Sequence, residues 1–215
     1  MVIVHWEGME VSKQEKDLGV LIDDSLKPSA QCAKAASKAN LVLSQLTRGC
    51  TWRDPENLTQ LYKVYVRPHL EYAQSSWAPW TQADISVLEK VQQRFTRQVS
   101  GMGHMTYQER LDKLGLSTLQ DRRERGDLIE SYKIITGKVD VEPDIWFNPL
   151  TSREGAASTR ATSGYLNLAR GEPKSDIRKN QFSVRVVPKW NALPDMVKNQ
   201  ETLNSFKNAY DNLKK

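Results

Sequence analysis

Asp54-Pro55-Glu56-Asn57-Leu58-Thr59-Gln60-Leu61-Tyr62-Lys63-Val64-Tyr65-Val66-Arg67-Pro68-His69-Leu70-Glu71-Tyr72 carries a written start for a helix and a fault in its middle. Asp54 can cap the first turn, and Pro55 suits the first helical position, where its missing N–H is not needed. Glu56 favours the positive end of the helix dipole. Leu58, Leu61, Tyr62, Tyr65, Val66, His69 and Tyr72 fall at helical spacing and predict one stripe to about Ser75. Pro68 lies inside that stripe. It cannot donate to the carbonyl four residues back, so a kink or break is expected there.

The helical pattern extends both ways. Upstream, Pro28 opens a segment to Arg48 with Cys32, Ala35, Ala36, Ala39, Val42, Leu43 and Leu46 on one face, and Gly49 can supply a left-handed cap. Downstream, Thr81 or Gln82 opens a third helix with Ile85, Leu88, Val91, Gln92, Phe95 and Val99 inward, stopped by Gly101. Thr106-Tyr107-Gln108-Glu109 has capping-box spacing for a short helix ending at Gly115. Thr118 starts a longer one with Leu119, Leu128, Ile129, Tyr132 and Ile135, closed by Gly137. Five helices with short connections predict an antiparallel bundle or array. Ahead of them, residues 1–12 read as a hairpin with Gly8 near its turn, and Leu18–Ile22 as a short strand ending at Asp23-Asp24. The expected class is mainly α, a helical bundle or array with a small N-terminal β-hairpin or strand element.

Residues 138–177 change character. Pro143, Pro149 and Pro173, with glycines and many small polar residues, predict a long connection in which a short strand fits at Tyr165–Leu168. Its composition buries little apolar area against ordering entropy, so this stretch is expected to be the least ordered. Helical spacing returns at Phe182, Val186 and Trp190, and at Leu203, Phe206, Tyr210 and Leu213. Four regions result: a β element at 1–27, a helical domain at 28–137, a linker at 138–177 and a basic helical tail at 178–215.

Charge is unevenly placed within the net +5. Residues 151–215 hold 12 Lys and Arg against 6 Asp and Glu, while the first 150 hold 19 against 20. A basic C-terminal third suggests a polyanion partner, since cations near phosphates release condensed counterions. No apolar stretch reaches the ~18 residues of a membrane span, so no membrane partner is expected. Two cysteines, Cys32 and Cys50, make no disulfide framework, and a reduced intracellular setting, cytoplasmic or nuclear, is expected.

Four stretches together resemble the post-catalytic part of a non-LTR (LINE-type, jockey-like) retrotransposon reverse transcriptase. Glu15-Lys16-Asp17-Leu18-Gly19-Val20-Leu21-Ile22-Asp23 is similar to the family's Leu-Gly block beyond the catalytic motif, the region associated with the primer grip. Leu61–Ala73 is similar to the helical region that follows. The third stretch is Arg122-Arg123-Glu124-Arg125-Gly126-Asp127-Leu128-Ile129-Glu130-Ser131-Tyr132-Lys133. The fourth runs from Asp176-Ile177-Arg178-Lys179 through Phe182–Val187 to Trp190-Asn191-Ala192-Leu193-Pro194. In that family the catalytic aspartates of the RNA-directed DNA polymerase lie upstream, in elements that would precede residue 1. The resemblance therefore implies a non-catalytic thumb and tail that grips an RNA or DNA primer–template duplex, with Leu18, Gly19 and Val20 as primer-grip-like residues. The competing class is a helical scaffold that binds a protein partner.

The candidate phosphate contacts are Arg178, Lys179, Arg185 and Lys189, which fall largely off the Phe182/Val186/Trp190 stripe. Arg122, Arg123 and Arg125 are interleaved with Asp121, Glu124 and Asp127 and read as a face laced with ion pairs. Asp23-Asp24 mimics a polymerase carboxylate pair, but two-metal chemistry needs carboxylates from separate strands. Turn capping fits the doublet better. His5, His69 and His104 pair with neither cysteine at zinc-like spacing, so no metal or other cofactor is expected. His69 reads as semi-buried. Gly101-Met102-Gly103 lacks a Walker lysine, and no nucleophile signature appears, so no catalytic residue is assigned. Trp77, Trp80, Trp146 and Trp190 could stack on bases, but aromatics at helical spacing usually pack. Trp190 belongs to a core stripe, and packing is also favoured for Trp77 and Trp80, which flank Pro79 in a loop.

Overall fold

A computed structural model describes residues 12–50, 53–148, 167–169 and 171–214. It is mainly helical with one two-stranded antiparallel sheet. Residues 1–11 of the hairpin expected at 1–12 lie outside the described residues. The described residues fall into two compact units, one drawn from 1–73 and 79–104 and one from 74–78 and 105–215. The block expected as one helical domain, 28–137, thus contributes to both.

In the first unit, β1 (Gln14–Asp17) pairs with β2 (Val20–Asp23) in the register Asp17↔Val20 to Gln14↔Asp23. The strand expected from Leu18 begins instead at Val20. Leu18 (φ 44°) and Gly19 (φ 90°) are both left-handed, the two-residue turn whose twist matches antiparallel strands. Helix α1 (Ser29–Gly49) starts one residue later than expected, with Pro28 as its N-cap. Cys32, Ala35, Ala36, Ala39 and Leu43 are buried along it, and the small alanines allow close helix approach.

Helix α2 (Pro55–Leu61) opens as expected, with the Asn57 N–H donating to Asp54 Oδ2 at 2.9 Å. The fault at Pro68 is met without a break. Residues Tyr62–Val66 form a π-helical turn in which the Arg67 N–H reaches the Tyr62 carbonyl, and α3 (Arg67–Glu71) continues from it. The extra residue in that turn shifts the phase. Tyr62, Val66 and Leu70 are buried, while Tyr65 and Tyr72, expected on the inward stripe, are exposed. The chain then reverses at Ala73 (φ 50°) and passes through α4 (Gln74–Trp77), which belongs to the second unit.

Helix α5 (Gln82–Gln98) returns to the first unit, capped by Thr81. Phe95 stacks on Tyr62 with ring centroids 4.1 Å apart, and the Tyr62 hydroxyl donates to Gln92 Oε1 at 2.9 Å.

The second unit continues with α6 (Tyr107–Leu114), whose Thr106/Glu109 capping box and left-handed Gly115 are both present. Next come α7 (Leu119–Ile135), capped by Thr118, and α8 (Pro143–Trp146). The C-terminal helices are α9 (Asp176–Asn180), α10 (Phe182–Arg185), α11 (Val187–Asn191), α12 (Asp195–Lys198) and α13 (Leu203–Leu213). Gln181 is extended and Pro188 restarts the winding, so the helix expected through 182–190 is segmented. Its stripe survives. Phe182, Val186 and Trp190 join Tyr132, Phe206 and Tyr210 in one core, with Tyr132 stacked on Phe206 at 4.4 Å.

The tail expected at 178–215 is therefore the other half of the α7 core. Phe147 and Leu168, from the expected linker, are buried in it too. Asn191 brackets Leu168, its Oδ1 accepting the Leu168 N–H at 2.8 Å and its Nδ2 donating to the Leu168 carbonyl at 2.9 Å. Lys198 Nζ donates to Asn167 Oδ1 at 2.9 Å. Residues 149–166, with part of the stretch expected to be least ordered and part of the strand expected at Tyr165–Leu168, lie outside the described residues.

Candidate nucleic-acid interface

The C-terminal cations face acids of their own unit. Arg185 spends four of its five N–H groups. Nε and Nη2 clamp Asp127 Oδ2 and Oδ1, each at 2.9 Å, Nη2 also reaches the Ser75 carbonyl at 2.8 Å, and Nη1 reaches the Asn180 carbonyl at 2.9 Å. Its side chain is only 17% exposed, so this guanidinium ties α4, α7 and α9 together. Lys189 meets Glu124 at 2.6 Å. Lys179 meets Asp176 at 3.1 Å on the surface, and Arg178 donates to Gln181 Oε1.

Of the α7 charges expected to pair along their own helix, Glu124, Arg125 and Asp127 instead reach across to the C-terminal helices. Arg125 binds Asp211 bidentately at 2.7 and 2.8 Å, a bond that raises its pKa further above the ordinary arginine value. Gly126 leaves room for Gln74, since a Cβ there would stand 2.1 Å from Gln74 Nε2. Two of the four expected phosphate contacts, Arg185 and Lys189, are thus committed to α7 carboxylates.

The first unit disposes of charge differently. Helix α1 holds Lys34, Lys38 and Arg48 and no acidic residue in 21. Lys38 is exposed and has no ion-pair partner among the described residues. Arg48 Nε donates to the Ser44 carbonyl. Arg94, from α5, donates to Asn40 Oδ1 and Ser44 Oγ on α1, adding a cation with neutral partners.

One end of α1 carries the hairpin turn. The Tyr72 hydroxyl donates to the Leu18 carbonyl at 2.8 Å, Lys34 Nζ to the Gly19 carbonyl at 3.1 Å, and the Leu21 N–H to Gln31 Oε1 at 2.9 Å. A Cβ at Gly19 would touch the Tyr72 ring at 3.5 Å. Of the primer-grip-like residues, Leu18 is 85% exposed at the tip, Gly19 makes the turn, and Val20 is buried as its anchor. His69 stands near Lys38. Burial, and then that lysine's charge, hold its imidazole below the ordinary histidine pKa.

The signal for this surface lay in α1, a helix with three cations and no acid. It was hidden by summing charge over the first 150 residues. Tyr65 and Tyr72 were masked by the uninterrupted helical spacing, which assigned them to the core.

The remaining candidates resolve simply. Asp23 Oδ1 accepts from Ser25 Oγ at 2.6 Å and from the Lys27 N–H at 3.3 Å, and these bonds hold its carboxyl below the usual range. It caps a turn. No group of three or more His, Cys, Asp or Glu is placed to hold a metal among the described residues. Trp190 is fully buried, Trp77 is buried, Trp80 is half-buried, and Trp146 is exposed with its ring edge-on to Phe182. No helix among the described residues is long and apolar enough to cross a membrane. No protein-family model, curated protein or solved structure matches the chain.

Proposed function

We propose that this chain is a non-catalytic nucleic-acid-binding module, akin to the thumb and tail of a LINE-type reverse transcriptase, that positions its polymer through phosphate contacts. The observation that carries the reading is the acid-free helix α1, with Lys34 bonded to a pinned, exposed hairpin turn and Lys38 exposed further along the helix. Phosphate contacts of this kind fix register without reading sequence. The contact surface lies on α1 and the Leu18-Gly19 turn, and the C-terminal cations contribute chiefly to folding.

The test is a salt titration of binding to labelled oligonucleotides. Affinity should fall steeply with salt, and Lys34→Ala with Lys38→Ala should weaken it and flatten the slope. Binding that ignores salt would favour the scaffold reading, to which the exposed Leu18, Leu41 and Val64 lend support. The module should also give no metal-dependent primer extension. Deoxynucleotide incorporation abolished by Asp23→Ala or Asp24→Ala would overturn the non-catalytic part.

A further inference from the structure

Helices α1 and α3 pack against one another, and the hairpin turn ties a residue of each segment. Lys34 and Tyr72 both bond the Leu18-Gly19 turn, and Lys38 faces His69. Helix α1 also packs against the π-helical turn that carries Tyr65. The result is a seam along which α1, with Lys34 and Lys38, lies against the segment that carries Tyr65 and Tyr72. Tyr65 is 54% exposed and Tyr72 58%, so each presents ring surface to solvent. Neither is required by the core, which Tyr62, Val66 and Leu70 fill.

Tyr65 lies in the π-helical turn and Tyr72 caps α3 seven residues on, which at ~1.5 Å rise per helical residue sets them on the order of 10 Å apart. Bases in a duplex lie ~3.4 Å apart along each strand with their faces covered by neighbours. Two rings on one surface, spaced this way, cannot both meet a base face in an intact duplex. They can meet bases splayed from a single strand, while the backbone runs past Lys34 and Lys38. Stacking on exposed aromatics tolerates any base, because every base has a π face.

We infer that this seam binds single-stranded nucleic acid, with unpaired bases stacked on Tyr65 and Tyr72 and phosphates held by Lys34 and Lys38. The inference rests on the nucleic-acid reading above and narrows it to one polymer form. Leu18, at the protruding tip, marks one end of the track.

The experiment compares fluorescence anisotropy of the full chain with an unstructured labelled 20-mer and with the same strand annealed to its complement, at two salt concentrations. Tyr65→Ala, Tyr72→Phe and wild type are measured, with thermal melts to establish that each variant is folded. The single strand is expected to bind at least tenfold more tightly than the duplex. Tyr65→Ala should weaken single-strand binding roughly tenfold, in line with the loss of one stacked base, and leave duplex binding unchanged. Tyr72→Phe keeps the ring and loses only the hydroxyl bond to Leu18, so it should bind nearly as well as wild type. Equal or tighter duplex binding, or an unaffected Tyr65→Ala variant, overturns the single-strand inference and leaves the nucleic-acid reading standing. Absence of salt-sensitive binding to either polymer overturns both.

Discussion

Helix α1 and the helices from Asp176 to Asn191 carry comparable numbers of cations and dispose of them in opposite ways. Lys34, Lys38 and Arg48 sit on a helix without acids, where backbone carbonyls are the recorded partners of Lys34 and Arg48. Arg185 and Lys189 are met by Asp127 and Glu124 of α7. A charge sum over the sequence points to the C-terminal third, whereas in the folded chain it is α1 that carries cations with no acid along its own length. The difference teaches that a cation's availability is set by the acids folded against it, which sequence proximity does not reveal.

The largest effects should come from breaking the C-terminal arrangement, and they should appear in stability. Arg185→Ala leaves Asp127 buried without its partner and should cost about 3–5 kcal/mol, as for other buried pairs that lose one member. Trp190→Ala should cost a similar ~3–5 kcal/mol by emptying a large aromatic site in the α7 core. Denaturant melts check both. A Trp190→Ala protein that melts like wild type but no longer binds nucleic acid would make that ring a stacking platform and reverse the comparison.

Next in size is the effect on binding at α1. Lys34→Ala with Lys38→Ala should flatten the salt dependence by about 1.4 in the log–log slope, at ~0.7 per single-strand phosphate contact. Stability should change little, because no acid loses a partner. The titration itself reads the slope. A slope equal to wild type would remove these lysines from the interface.

Arg178→Ala with Lys179→Ala should do less still. The Lys179–Asp176 pair is exposed, and such pairs contribute about 0–1 kcal/mol. Melting and binding should both stay close to wild type. A binding loss as large as that of the α1 pair would return the interface to the C-terminal helices.

The smallest effect concerns His69. Its pKa lies below the ordinary histidine value of 6.5 through burial first and Lys38 second. Above that ordinary value the imidazole is neutral in both folded and unfolded chains and contributes nothing to the balance. As pH falls through it, the unfolded chain takes up the proton first, so acidification costs stability and raising the pH restores it. Lys38→Ala removes the second cause and should move the His69 titration upward, which NMR of the imidazole protons reads directly. No upward movement would separate Lys38 from His69 and from the seam.

Much of the fold was legible because capping is local chemistry. Asp54, Thr81, Thr106 and Thr118 each accept the N–H three residues on, and Gly115 adopts the left-handed cap. The π turn was not legible. Pro68 announces trouble in the helix, but whether the chain kinks or inserts a residue depends on packing against α1. That one residue moved Tyr65 and Tyr72 from core to surface. The hairpin turn was hidden for a related reason, since Leu18 looks like strand and holds φ 44° in a turn that Tyr72, 54 residues away, helps to fix. The C-terminal candidates were chosen by helical spacing, which placed Phe182, Val186 and Trp190 inward correctly. Spacing alone could not show that Asp127 lies opposite Arg185, because that pairing is 58 residues long-range.

Photo-crosslinking tests the central claim most directly. A 20-mer carrying 5-bromouracil is bound to the full chain, irradiated, and the attached peptides are mapped by mass spectrometry. Crosslinks at Leu18, Tyr65 or Tyr72 are the predicted result, with Tyr65→Ala reducing the yield in its own peptide. Crosslinks confined to the peptides of residues 176–191 would contradict the account and assign the interface to the cations it has placed in the fold.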